Sequence, residues 1–386
     1  MSVTRRILAS AAPGEVRVAL IENDRLAEAW FDRPGLRGAR IGDLQRARIT
    51  ARVPAMSGAF VALAEGETGF LPDTAADAED ARGRAAALAE GRILAVRITR
   101  EAQGGKGPRV TARLDAAERS RVGPGPAPAL IARGPDAALR LAQAWPEAEL
   151  VADDAALAAA LRPALGARVA LSRAPAFDDG LEAEFASLLE PEVPLPGGGR
   201  LLIHPTPGLT AVDVDAGSAV ADSRRAVNAA AVAEAARQIR LRNLGGAILL
   251  DAAGLAPRAR AALVEPLRAA LAADPVGPRA LGVTGLGLIE IVRPRLRAPL
   301  HEVLGTPVAP WPASVLTQGL AALRQAARDA AARPAVVIAL RAAPALLRAI
   351  GGLPGALEDY AARAGRPLRL EPDSALPPGA WEIMEA

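Results

Sequence analysis

The sequence predicts a multidomain α/β protein with a small β-barrel near its N-terminus. Three observations carry this reading. The chain has 386 residues, long for one domain. Residues 36–118 hold short strand-like runs separated by glycine turns, the pattern of a small closed barrel. From residue 129 onward, strand-like runs alternate with helical runs, as in layered α/β sheets.

The elements follow in chain order. Residues 3–32 alternate with period two (VRVALIEN, then RLAEAWFD) and predict strands. The barrel strands are predicted within ARIGDLQRARITARV, GAFVALA, TGFLP, ILAVRITR and RVTARL. An acidic, alanine-rich insert, DTAADAEDARGRAAALAEG, divides them and predicts a surface helix or loop. VGPGPAP at 122–128 is a linker. Beyond it come ALIARG, AELVAD and ARVALSR as strands, with PDAALRLAQAW and DAALAAALRPAL as helices. After PLPGGGR come the strands LLIHP and LTAVDVDAG, a helix over about 224–243, and the strand GAILLD. A helix over about 257–273, then ALGVTGLG and LIEIVRPRL, complete that block. The tail repeats the alternation on a smaller scale, with a helix at 315–332, AVVIAL, helices around 343–364, PLRLEP and AWEIMEA.

Composition bounds the function classes. Cysteine is absent, which excludes disulfides, thiolate metal sites and a cysteine nucleophile, and agrees with a reducing cytoplasm. The net charge is only +3, and 45 of the 46 basic residues are arginine, Lys106 being the single lysine. Weak basicity of this kind allows nucleic-acid binding without arguing for it. Aromatics make up 3% of the chain, so any base-stacking platform must use very few rings. No run reads as a signal peptide or a membrane span, and the expectation is a soluble, cytoplasmic protein.

The stretch TAVDVDAG places Asp213 and Asp215 on one strand face, with Thr210, Val212 and Val214 on the other. A strand, crossover helix and strand in succession predict a parallel pair ending at Asp213 and Asp251. Ligands gather at such carboxyl ends, and the crossover helix, capped by Ser223, would turn its N-terminus toward them. Two hard oxygen ligands beside a phosphate and water suit Mg²⁺. Solvated acidic strand ends are the alternative, and spacing alone leaves both open.

The run LTAVDVDAG…VNAAAVAEAARQIRLRNLGGAILLD…GLGLIEIVRPRL resembles the catalytic core of the ribonuclease E/G family of bacterial endoribonucleases. The resemblance extends over most of the chain. Residues 1–35 and 126–191 resemble that family's RNase H-like subdomain, with an S1 (OB-type) RNA-binding barrel inserted at 36–118, where GAFVALAEGETGFLP matches. Residues 192–299 resemble its DNase I-like catalytic subdomain and 313–386 its small C-terminal α/β domain. The resemblance implies a Mg²⁺-dependent endoribonuclease that cuts single-stranded RNA to 5′-phosphate and 3′-hydroxyl ends. It implies that Asp213 and Asp251 hold the metal, with Asp215, where the family has an asparagine, beside them as a third catalytic residue. It also implies RNA contacts from Phe60, Phe70 and Lys106. Without it, a phenylalanine in a small barrel is expected in the core. Arg293 and Arg295 are phosphate candidates on the strand LIEIVRPRL, a surface ion pair being the alternative. Arg237, Arg240 and Arg242 divide evenly between structure and RNA contact.

Departures from the family qualify the expectation. The segment sensing a 5′-monophosphate has no counterpart between the barrel and ALIARG, so cleavage independent of the 5′ end is expected. The family's cysteine pair is missing, so no zinc-linked dimer is expected, while a homodimer through the small domain stays open. LDAAGL lacks a further acidic residue of the pattern, and the loop AGSAVADS is short. The competing function is an RNA-binding protein on the same scaffold with weak or lost catalysis.

Overall fold

The computed structural model describes residues 3–33, 38–77, 83, 86, 88–217, 221–305 and 313–386, with the side chains of 221–223 left out. The chain divides into two compact units, residues 1–306 and 307–386.

The first unit opens with three antiparallel strands, β1 (Arg5–Ala12), β2 (Glu15–Glu22) and β3 (Arg25–Asp32). The barrel follows as β4 (Leu44–Val53), β5 (Gly58–Ala62), β6 (Thr68–Pro72), β7 (Ile93–Arg100) and β8 (Arg109–Thr111). Pairing of β4 with both β5 and β7 closes the ring. Its core takes one side of each strand, including Ile49, Ala59, Val61, Leu71, Val96, Ile98 and Val110. The middle of the acidic insert lies largely outside the described residues, but Leu88 near its end is fully buried in that core.

One expectation needs correction here. ALIARG becomes β9 (Ala129–Ala132), but β9 pairs with β4 on the barrel and does not join the α/β sheet. A short strand in a connector pairs with whichever edge is open, and β4 offers one there.

After β9 the chain returns to the first sheet. Strands β10 (Glu149–Ala152) and β11 (Val169–Leu171) add parallel to β1, giving the order β11-β10-β1-β2-β3. The helices Ala137–Ala144 and Ala155–Leu165, capped by Asp136 and Asp154, cover one face.

The second large sheet is β12 (Glu192–Pro194), β13 (Arg200–Pro205), β14 (Leu209–Asp215), β15 (Gly246–Asp251), β16 (Arg279–Val283) and β17 (Ile289–Arg293), in the order β12-β13-β14-β15-β17-β16. The 21-residue helix Ala221–Leu241 and the helix Val264–Leu271 pack on one face, where Val212, Val214, Ile248 and Leu250 meet Val227, Ala231 and Leu267. The other face stays open, as alternation along β14 dictates.

The conspicuous arginines of RQIRLRN join the two sheets rather than forming a surface. Arg240, 5% exposed, donates to Glu28 (2.9 Å) and Glu22 (2.9 Å) on β3 and β2. Arg237 grips Glu234 and the Leu26 carbonyl (2.7 Å). Arg242 donates to Gln238 (2.6 Å) and the Glu190 carbonyl (2.6 Å), and burial pushes its pKa down to about 10. All three are structural. Asn243 ends the helix at φ 51°, the left-handed conformation asparagine tolerates, and its amide holds the carbonyls of Arg297 and Ala298.

The second unit is a three-stranded sheet of β18 (Ile338–Ala342), β19 (Arg369–Pro372) and β20 (Trp381–Glu385), in the order β19-β18-β20. The helices Val315–Ala332 and Pro344–Gly351 bury Ala322, Leu323, Leu346 and Ile350 against it.

Candidate active site and nucleic-acid interface

The βαβ unit forms as its sequence predicts. Strands β14 and β15 run parallel, and their register makes Asp213 and Asp251 direct neighbours across the ladder. Register partners project from the same face, so both carboxylates rise from the open side of the sheet. Asp213 is exposed and carries no hydrogen-bond partner among the described residues. The Asp251 side chain is 48% exposed, and its Oδ1 accepts from Arg260 Nη1 at 3.2 Å.

Asp215 differs from its neighbour two residues back. Its Oδ2 accepts from Arg200, the register partner on β13, at 3.0 Å, and its Oδ1 accepts from Gly217 N at 2.8 Å. The Gly217 amide, then Arg200, holds its carboxyl below the usual range. Asp215 therefore shapes the turn at the strand end, and both of its oxygens are already engaged.

Asp213 and Asp215 open onto a cleft that also meets Leu202, Gly217, Arg224 and Gly254. The cleft wall beyond β15 is fixed by Asn228, 1% exposed on the crossover helix. Its Nδ2 donates to the carbonyls of Arg224 (2.7 Å) and Ala253 (3.1 Å), and its Oδ1 accepts from Ala253 N (2.9 Å). One buried amide thus ties the first turns of the helix to the loop that follows Asp251. The helix begins at Ala221, so the expected cap Ser223 lies inside its first turn and is not the cap; residues 218–220 of the loop lie outside what is described.

No group of three or more acidic or histidine side chains gathers for a metal among the described residues. The two carboxylates that do meet are hard oxygen donors facing solvent, with the Asp213 oxygens unoccupied by protein donors. That donor set fits a Mg²⁺ ion that keeps water and phosphate for its other positions.

On the barrel, strand alternation decides the two phenylalanines. Ala59, Val61 and Leu71 point inward, so Phe60 and Phe70 face out as register partners of β5 and β6. Their rings meet edge to face at 5.8 Å and are half-buried. A Cβ on Gly58 would stand 2.4 Å from Phe70 Cζ, so this glycine makes room for the ring. Lys106 is exposed in the turn Gln103–Lys106. That loop is moored by Gly104 N donating to Glu302 at 2.8 Å.

Two further residues extend this face. Arg109 is the register partner of Phe70 across β6 and β8, and Arg100 pairs with Arg109 across β7 and β8. Burial, then the nearby charges of Arg109 and Arg295, push the Arg100 pKa down, which places three guanidinium groups together. Sequence reading missed Arg100 and Arg109; alternation with the buried Val110 was the available signal for Arg109, whereas Arg100 shares the parity of the buried Ile98 and meets Arg109 only through the register shift between them.

Arg295 lies beyond the end of β17, its Nε donating to the Gly245 carbonyl at 3.2 Å. Gly246, at φ 91°, leaves room for its guanidinium, since a Cβ there would stand 2.4 Å away. Arg293 is a correction. It is 3% exposed, and its guanidinium is taken up by Asp274 (2.7 Å) and Asn243 (2.8 Å), so it is a core ion pair and leaves the RNA-contacting set.

The interface and the carboxylates are therefore separate places. Arg295 sits at the first residues of β15 and Asp251 at its last, roughly 17 Å along the strand.

An α/β protein with an outward aromatic pair on its barrel and paired carboxylates at a sheet edge is the class that this geometry defines. Residues 148–296 match the model of the Ribonuclease E/G family. Ribonuclease E of Synechocystis sp. is 38% identical over 133 residues, covering 33% of this chain and 20% of that protein. Ribonuclease G of Escherichia coli K12 is 37% identical over 139 residues, 34% of this chain and 28% of the relative. Ribonuclease E of the same strain is 34% identical over 128 residues, 32% of this chain and 12% of the relative. The matched stretch thus spans well under a third of each relative. It contains both Asp213 and Asp251 and excludes the barrel.

Proposed function

We propose that the chain is an endoribonuclease that hydrolyses single-stranded RNA and acts in RNA processing or decay. The observation that carries this is the register pairing of Asp213 with Asp251 on the open sheet face, within the segment shared with ribonucleases E and G. A Mg²⁺ ion held by these two carboxylates would supply charge stabilisation at the phosphate and acidify water. Attack forms a new oxygen–phosphorus bond and breaks the bond to the 3′ oxygen, which takes up a proton, leaving 5′-phosphate and 3′-hydroxyl ends. In this reading Asp213 and Asp251 are the ligands, while Asp215 keeps the strand end in place through Arg200 and Gly217.

Phe60 and Phe70 stack bases, and Arg109, Arg100 and Arg295, with Lys106 at the tip of its loop, hold backbone phosphates. A cluster of arginines is self-repelling unless a polyanion joins it, which favours RNA over an apolar partner there. The assignment of the barrel as S1-like, and of the two sheets as RNase H-like and DNase I-like subdomains, belongs to this proposal. So do independence of the 5′ end and a zinc-free homodimer through residues 313–386.

Cleavage of a 3′-labelled single-stranded RNA by wild type, Asp213→Asn and Asp251→Asn tests the central claim. The expected outcome is Mg²⁺-dependent cutting in wild type, lost in both variants with RNA binding retained. A wild type that binds RNA through Phe60 without cutting would make this a binding protein.

A further inference from the structure

Arg260 has a position that the reading above does not use. It comes from the short helix Pro257–Ala261, and its guanidinium is built into place by three segments. Nη1 donates to the Gly287 carbonyl at 2.9 Å and to Asp251 Oδ1 at 3.2 Å, and Nε donates to the Leu255 carbonyl at 3.1 Å. Nη2 has no partner among the described residues. Gly287, at φ 87°, lets its turn close on the guanidinium, since a Cβ there would stand 2.7 Å from Nη1. The side chain remains about one-fifth exposed (19%). Two backbone carbonyls therefore fix this cation without cancelling its charge, beside a carboxylate that we read as a metal ligand.

Resting on that reading, we propose that Arg260 is a phosphate-contacting residue of the site, its Nη2 edge set to take an oxygen of the RNA phosphate beside Asp251. Arginine suits the role because its planar fork binds carboxylate on one edge and phosphate on another. The same placement sets it against the metal. A positive charge within ion-pair distance of Asp251 competes with a cation for that carboxylate. Removing the charge therefore has effects of opposite sign on metal and on RNA. A residue that only propped Asp251 in place would give the same sign for both.

The experiment measures Mg²⁺ binding to the full chain by calorimetry without RNA, and single-turnover RNA cleavage, for wild type, Arg260→Gln and Arg260→Lys. The expected result for R260Q is Mg²⁺ affinity raised several-fold, with cleavage slowed about a hundredfold or more. R260K, which keeps the charge and loses the fork, retains wild-type Mg²⁺ affinity and recovers part of the rate. Mg²⁺ binding and cleavage weakened together in R260Q would make Arg260 a structural prop and overturn the proposal. Unchanged cleavage in R260Q would overturn it too, while leaving the nuclease reading intact. A wild type that neither binds Mg²⁺ nor cuts RNA would overturn both. If R260Q fails to fold, R260K alone still decides, since a rate equal to wild type excludes a contact made by the Nη2 edge and overturns the proposal.

Discussion

At the scale of single residues, the molecule sets charged groups in places where their titration can be read. Glu101, at the end of β7, faces Arg297 and Arg140 and accepts weakly from Ile41 N at 3.4 Å. Burial pushes its carboxyl up despite those arginines. Arg297, stacked on Trp30 at 3.2 Å, is pushed by burial down to about 10. With its pKa raised by folding, Glu101 binds more proton in the native state than in the unfolded chain. Stability then falls as pH rises from its unfolded pKa through its folded one. Glu101→Gln removes that fall, so the Tm advantage of the variant over wild type grows as pH rises above the ordinary glutamate range. A difference that stays flat or shrinks would place Glu101 in water. The face that Asp213 takes was legible from alternation alone, because Val212 and Val214 fix which way it turns. The fate of Arg293 was not, since a strand-end arginine looks the same in sequence whether Asp274 meets it or solvent does.

At the scale of elements, the helix Ala221–Leu241 serves both sheets. One side buries Val227, Ala231 and Ile239 on the second sheet, and the other sends Arg237 and Arg240 to the first. Arg25 reaches Glu234 on this helix from β3 at 3.0 Å. Replacing Arg240 by alanine leaves the buried Glu28 with no ion-pair partner among the described residues and Glu22 with Arg5 alone, and the expected loss is about 3–5 kcal/mol in denaturant unfolding. A loss below about 1 kcal/mol would mean water reaches those carboxylates. Helix and strand boundaries were legible here because the apolar spacing is regular. The role of Arg240 was not, since its carboxylate partners lie more than two hundred positions earlier in the chain.

At the scale of the whole molecule, the separation between the barrel face and the carboxylates governs how substrate length should matter. The aromatic pair and the Arg100–Arg109–Arg295 cluster lie toward the first residues of β15, and Asp251 at its last. Binding energy gained there is common to ground and transition states. Phe60→Ala and Phe70→Ala should raise KM severalfold for a long single-stranded RNA with kcat little changed. For an oligonucleotide too short to reach from the barrel to the carboxylates, the same variants should change neither constant. Loss of kcat on the short substrate would mean that the rings act at the cleavage site itself. The barrel was readable as a barrel from its turns and its alternation. The attachment of β9 to it was not, because pairing between distant strands depends on which edge the folded chain leaves open.

The two ends of the barrel segment meet at one place. Asp32 receives Arg40 Nη1 at 2.8 Å on the way in and Ala137 N at 3.0 Å on the way out, while Asp43 receives Gly134 N at 2.7 Å. An excursion of about a hundred residues thus leaves and re-enters the host sheet through neighbouring positions, and every pairing of β11-β10-β1-β2-β3 is made without it. A segment built this way has the topology of a cassette. It can be gained, traded or lost at the level of the gene without rewriting the sheet that carries it, so the catalytic part and the barrel are free to have separate histories.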